Sequence, residues 1–283
     1  MIINPYLFGS TPLLLDTYSG AAAAYSLRLL RTAYTGNTIR VRRSSDNAEQ
    51  DFGFSSNVLD TASLLTFCGV GNGFVTTWYD QSGNALNFTQ ATAINQPQIV
   101  SAGAVITQNS KPALLNDGVN DSLRNALNVA SGNTLCVFYP VAKIGNGTND
   151  GYAPTIAIAT SNNSDIGALH YIKTSNVGAS YPFYNNFFFY DNAALTYTVG
   201  TMYLMSVMFP GATPWRVYRN SIQEGSIATY GTFQTVQTGF DLGRQLTPSR
   251  YSNNKYSEVI FYTSNQTTNR TGIEANITAF YSI

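Results

Sequence analysis

The chain has 283 residues, 15 basic and 15 acidic side chains for a formal net charge of zero, and only 11% charged residues. Its 44% hydrophobic content suffices for a buried core and excludes global disorder. No basic cluster exists beyond Arg40-Val41-Arg42-Arg43, which excludes an electrostatic nucleic-acid binder, since such a protein needs a basic face to displace counterions.

Taken in chain order, residues 1–19 are apolar and punctuated by Pro5, Gly9 and Pro12, and read as an extended N-terminal arm. Gly20 to Tyr34 is expected to be helical: Ala21 to Ala24 have high propensity, and Leu27, Leu30 and Ala33 recur at helical spacing. Ile39 to Ser44 alternates as a strand, and Phe52 and Phe54 continue the period after a Ser45-Asp46-Asn47 turn. Leu59 to Phe67 reads as a second short helix, with Asp60 as its N-cap and Gly69 as its stop. From Phe74 onward the signal is β. Short apolar or alternating runs recur at Phe74 to Tyr79, Leu135 to Val141, Thr155 to Ala159, Phe187 to Tyr190, Met202 to Phe209, Trp215 to Tyr218, Phe240 to Leu242 and Tyr256 to Tyr262. Spaced short strands of this kind predict an antiparallel sandwich or barrel. Ile273, Ile277 and Phe280 mark a closing amphipathic helix within Thr267 to Phe280. Residues 20–283 are read as one domain.

Little metal or redox chemistry is expected. Cys68 and Cys136 read as buried free thiols. His170, a single histidine, excludes a multi-histidine metal site and leaves only one candidate for a Ser-His-Asp base. Asp117, Asn120 and Asp121 have the oxygen chemistry of a Ca²⁺ site, although Gly118 between them equally suits a tight turn closed by Asx hydrogen bonds. No cofactor is expected. No apolar run approaches the roughly 18 to 20 residues of a membrane span, and Met1 to Tyr6 lacks the regions of a secretion signal.

Two segments resemble known families. Trp78-Tyr79-Asp80-Gln81-Ser82-Gly83-Asn84, with Leu59 to Cys68 before it and Phe88-Thr89-Gln90 after it, resembles the N-terminal part of the arabinofuranosidase B catalytic domain. Asn116-Asp117-Gly118-Val119-Asn120-Asp121 and the tail from Leu242 are similar to laminin-G-like and other concanavalin-type jelly rolls. The resemblance implies a concanavalin-like two-sheet sandwich with a few short helices, near 20–34, 59–67 and 267–280. It also implies a retaining glycosidase site, with a glutamate nucleophile in a middle strand and an aspartate acid after a Leu-Gly strand end; such enzymes hold the two carboxyls about 5 Å apart.

The expected glutamate is missing. The four glutamates are Glu49, Glu224, Glu258 and Glu274, and the nearest middle segment, Tyr181 to Phe187, carries Asn185 and Asn186, which cannot ionise. Leu242-Gly243-Arg244-Gln245 carries no acid after its Leu-Gly. Cys68 matches a family cysteine whose partner position is Gly73 here. The expectation is therefore a non-enzymatic protein. The opening Ala21 to Phe54 resembles surface proteins of bacteriophages, which implies a fibre, spike or tail-associated protein on a virion surface, made in the host cytoplasm. Residues 1–19 would attach it to other virion proteins, and a homo-oligomer, by analogy a trimer, would hold a host glycan. Tyr181, Tyr184, Asn185, Asn186 and Tyr190 are the carbohydrate-binding candidates, since ring faces stack on sugar C–H surfaces and amides pair with hydroxyls. One alternative is a retaining arabinofuranosidase using Asp165, Asp191 or Asp241; another is a capsid decoration protein without ligand.

Overall fold

The computed structural model describes residues 12–129, 134–146, 152–160, 165–173, 177–181, 190–209, 215–227, 237–245 and 249–283. Three α-helices occur among them: α1 (Leu14–Thr17), α2 (Thr61–Cys68) and α3 (Arg270–Tyr281). Strands of four residues or more are β1 (Ala23–Ser26), β2 (Ile39–Arg43), β3 (Glu49–Phe52), β4 (Gly73–Trp78) and β5 (Gln98–Ser101) in the first half. The second half contributes β6 (Leu135–Gly145), β7 (Tyr152–Thr160), β8 (Asp165–Lys173), β9 (Val177–Tyr181), β10 (Tyr190–Thr196) and β11 (Met202–Phe209). It continues with β12 (Trp215–Arg219), β13 (Ile222–Ile227), β14 (Gln237–Leu242), β15 (Asn253–Tyr256) and β16 (Glu258–Tyr262).

The pairings are antiparallel and form a sandwich-like, mostly β structure. One sheet runs β1–β16–β6–β11–β12–β13, with β15 continuing beside β6. The second runs β3–β2–β4, through Phe88–Thr89 and Leu123–Arg124, to β14–β7–β8–β9–β10. Leu115 pairs with both Gln98 and Lys255 and so joins the sheets at a corner.

Side-chain alternation divides the apolar residues between two cores. On β6, Leu135, Val137, Tyr139 and Val141 face the second sheet, while Cys136, Phe138 and Ala142 face the opposite way. Met205 and Val207 of β11 repeat the first set, and Leu204 and Met208 the second. The second core is closed by Leu14 and Leu15 of α1 and by Ile273, Ile277 and Tyr281 of α3. The first sheet is thus apolar on both faces, covered by a sheet on one side and helices on the other. Cys68 lies in one core and Cys136 in the other, so the two thiols do not meet.

The expected helix at 20–34 is corrected: β1 occupies that segment, with all four residues buried. A helix with one apolar stripe cannot bury consecutive side chains on two faces, whereas a central strand must. Ala23 and Tyr25 enter one core and Ala24 the other, and this packing overrides alanine's helix preference. The other two helices form as expected. Asp60 accepts the Ser63 N–H at 3.1 Å and caps α2, and Gly69 ends it at φ 58°.

The Tyr79 to Gly83 motif fastens β1 in place. The Asp80 carboxylate accepts the N–H groups of Ala24, Ser82 and Leu86 and the Ser82 hydroxyl. Gln81 accepts the Leu30 N–H and donates to the Ser26 and Arg28 carbonyls. These buried side chains satisfy backbone groups that no ladder reaches, which makes the motif a signature of architecture. Among the described residues no helix is long and apolar enough to cross a membrane.

Candidate active site

The second sheet differs from the first in having a polar face. On β2, Ile39 and Val41 enter the core, while Arg40 and Arg42 face outward. A register shift between Arg40 and Val41 leaves Thr76 of β4 as the extra residue. With that bulge, Val75 and Trp78 both reach the core while Phe74 and Thr77 stay on the outer face.

Directly opposed residues share a face in an antiparallel pair, so the register defines a polar row across the sheet. It runs Asp51–Arg40–Thr77–Thr89–Arg124–Asp241, and then meets Ala157. Thr89 is exposed, Arg40 and Thr77 are half-buried, and Asp241 is fully buried. Asp241 accepts from Arg244 Nη2 at 2.8 Å through Oδ1, and Arg124 Nη1 stands 3.6 Å from Oδ2. Two guanidiniums thus match one buried carboxylate, the condition under which such a charge is tolerable. At the other end Arg40 binds Glu49 at 2.7 Å and Asp51 at 3.1 Å, and the Tyr79 hydroxyl donates to Asp51.

The three aspartates singled out in the sequence lie on three strands of this sheet. Asp241 pairs with Ala157 of β7 and Asp165 with Ala159, so two acids flank one strand from opposite sides. Asp191 lies on β10, paired with Ala179. His170 lies on β8, paired with Ile156. Of the carbohydrate candidates, Tyr184, Asn185 and Asn186 lie outside the described residues; Tyr181 ends β9 and Tyr190 begins β10.

Beside the row, a cleft of about 450 Å³ is lined by residues including Arg42, Phe74, Gln96, Gln98, Asp117 and Asp121. Burial, and then the neighbouring Asp117, push the Asp121 carboxyl up to about 7. Asp117 Oδ1 accepts the N–H groups of Val119, Asn120 and Asp121, and Asp121 Oδ2 accepts that of Asp117. Gly118 turns at φ 82°. The Asp117 and Asp121 oxygens considered for Ca²⁺ thus close an Asx-type turn.

Apart from Glu49 on Arg40, the glutamates serve elsewhere. Glu258 binds Arg28 Nε at 2.7 Å and accepts from Ser26 and Tyr281, and Glu274 binds Arg270 within α3. Glu224, 2.6 Å from Arg219, accepts from Tyr197, and burial raises its carboxyl against both partners. The polar row itself escaped sequence reading, because its members come from six strands and only the register aligns them.

Residues 15–165 match the family model described as alpha-L-arabinofuranosidase B, catalytic. Probable alpha-L-arabinofuranosidase B of Aspergillus flavus is 34% identical over 119 residues, covering 38% of this chain and 22% of that protein; alpha-L-arabinofuranosidase B of Aspergillus oryzae gives the same figures. The chain thus spans about a fifth of the length of these curated relatives. An arabinofuranosidase structure with bound arabinofuranosyl-alpha-1,2-xylobiose superposes with a TM-score of 0.70 at 19% identity, covering 94% of this chain and 64% of that one. A mutant GH54 α-L-arabinofuranosidase soaked with 4-nitrophenyl α-L-arabinofuranoside superposes with a TM-score of 0.71 at 17% identity and the same coverage. These findings correct the expectation of a non-enzymatic virion, fibre or capsid protein. That expectation rested on a missing glutamate in one segment of sequence, and the family match over residues 15–165 overturns it.

Proposed function

Because the chain belongs to the alpha-L-arabinofuranosidase B catalytic family, we propose that it is an arabinofuranosidase-type glycoside hydrolase, with Asp241 at the centre of its reacting site. The family match over residues 15–165, more than half of the chain, carries this reading. The likeness of the fold to arabinofuranosidase structures over 94% of the chain supports it. We also read the sandwich as a concanavalin-type jelly roll, which the antiparallel pairing and the corner at Leu115 support.

Glycosidic cleavage needs one carboxylate held in place beside the sugar and one carboxylic acid to protonate the leaving oxygen. Asp241 suits the first task. Its position is fixed by Arg244, its charge is matched by Arg124, and the strand beneath it is anchored by Phe240 and Leu242 in the core. Preorganised charge of this sort costs no rearrangement when positive charge develops on the sugar. Asp165 and Asp191 are the candidates for the acid.

Release of 4-nitrophenol from 4-nitrophenyl α-L-arabinofuranoside tests the proposal. Asp241→Asn keeps the shape and removes the charge, and is expected to lower kcat by roughly 10²- to 10⁴-fold. Asp165→Asn and Asp191→Asn are expected to divide: the acid's replacement slows turnover and the bystander's does not. A wild-type protein that is folded by thermal melt but releases no 4-nitrophenol would overturn the reading.

A further inference from the structure

We propose that the cleft between α1 and α3 is the docking site for residues 1–11 of the same molecule, with Tyr6, Leu7 and Phe8 seated in it. The inference does not depend on the hydrolase reading, since α1 and α3 cover the face of the first sheet turned away from the polar row.

The first observation is the cleft itself. Its volume is about 720 Å³, and Pro12, Leu13, Val58, Ala275, Ala279 and Phe280 give it apolar walls. That size falls within the roughly 300–1,000 Å³ of pockets that take one compact ligand, and so matches a few bulky side chains. The second observation is charge. Arg28 also lines the cleft, but Glu258 holds its guanidinium at 2.7 Å, so nothing there calls for an anion. The occupant that fits is uncharged and apolar. The third observation is an orphaned acceptor. Asn276 Oδ1 is buried beside the cleft and accepts no hydrogen bond among the described residues. A backbone N–H of an entering segment would satisfy it.

The fourth observation is where the chain comes from. Met1 to Thr11 precede the described residues and carry no charged side chain, while Ile2, Ile3, Pro5, Tyr6, Leu7 and Phe8 make the run strongly apolar. The segment enters the fold at Pro12, which is itself part of the cleft wall. Phe8 is four residues before Pro12 and so cannot lie farther than about 14 Å from it. Gly9 and Ser10 between them are turn formers, and a reversal there brings Tyr6, Leu7 and Phe8 back over the cleft. So short a tether holds the run at an effective concentration on the order of millimolar, which favours its own cleft over a neighbour's. Seated there, the run fastens α1 to α3 across the mouth of the helix-side core.

Chymotrypsin cleavage after Tyr6, Leu7 or Phe8, followed by intact mass, tests the docking. Each protein is compared with a synthetic peptide of its own residues 1–12, which sets the undocked rate. Wild type is expected to be cut about ten-fold more slowly than its peptide, since cleavage follows the population of the released segment. Two variants should release it. Ala275→Arg/Ala279→Arg fills the cleft from exposed positions on α3, where arginine suits a helix and lays its stem on apolar surface. Leu7→Asp places a charge in the run without touching α1 or α3. Both are expected to be cut at the rates of their peptides, and if the α3 variant does not fold, Leu7→Asp alone decides. Wild type cut as fast as its peptide, or variants protected as well as wild type, would overturn the proposal. So would protection that rises with protein concentration alongside a dimer in light scattering, since the run would then dock on a second copy.

Discussion

The two sheets are built from similar strands and treated oppositely. In the first, β6 buries alternate residues in two different cores, and β16 and β11 do the same. In the second, β2 buries one face and carries Arg40 and Arg42 on the other, and the row continues to Asp241 of β14, a buried carboxylate matched by Arg124 and Arg244. A strand covered on both sides has no position to spare for chemistry, while a strand covered on one side can hold polar groups in a register fixed by its buried half. The first sheet is enclosed on both faces, and the second carries the polar row.

Perturbations at five positions break or sharpen this contrast. The largest effect belongs to the first sheet. Glu258 is fully buried between Arg28, Ser26 and Tyr281, so Glu258→Ala leaves the Arg28 charge without its carboxylate and is expected to cost about 3–5 kcal/mol in urea denaturation. Phe138→Ala in the helix-side core should cost a similar ~3–5 kcal/mol.

Next is a pH effect on the functional side. The Asp121 carboxyl rises to about 7 in the folded protein, against about 3.9 for an unperturbed aspartate. The folded state therefore binds more protons than the unfolded chain between these values, and Asp121 lowers stability progressively as pH rises from about 4 to 7, by about 1.4 kcal/mol per pKa unit at most. Asp121→Asn is expected to flatten that slope in a series of denaturation curves. An unchanged slope would show that Asp121 is not the group responsible.

A smaller effect is expected where the sheets meet α2. A Cβ placed on Gly73 would lie 2.8 Å from Cys68 Sγ and 3.1 Å from Val41 Cγ1. Gly73→Ala is thus overpacked and expected to lose about 1–3 kcal/mol. Gly73→Cys places a second sulfur within bonding reach, and on oxidation it is expected to lose one free thiol per cysteine in a thiol titration, gaining about 2 kcal/mol from closing so short a loop. Two titratable thiols at positions 68 and 73 after oxidation would contradict the geometry. The smallest effect is that of Thr89→Ala, which lies on the exposed face and should shift stability by less than ~0.5 kcal/mol.

Local signals in the sequence were faithful where neighbours in the chain decide the outcome. Asp60 and Gly69 delimit α2, and Met202 to Phe209 is a strand over its whole expected length. The Asp80 motif carries the family resemblance and is structural, since its side chain completes a turn while reaching β1. The signals misled where distant segments decide. Ala21 to Ala24 favour a helix until β16 supplies a partner strand and two cores accept alternate side chains. The candidate site was the least legible part, since Asp51, Arg40, Thr77, Thr89, Arg124 and Asp241 become a row only through five successive pairings and one bulge. Asp165, Asp191 and Asp241 were legible as alternative acids, but nothing local in the sequence marks which strands they join or which partners they meet.

The division of labour between the sheets is tested most directly by 4-nitrophenol release, measured alongside thermal unfolding, in wild type, Asp241→Asn and Phe138→Ala. Turnover by wild type, abolished per folded molecule in Asp241→Asn below its own melting transition, and kept per folded molecule in Phe138→Ala despite a lowered melting temperature, is the result predicted here. Full turnover in Asp241→Asn, or none in wild type, would contradict it.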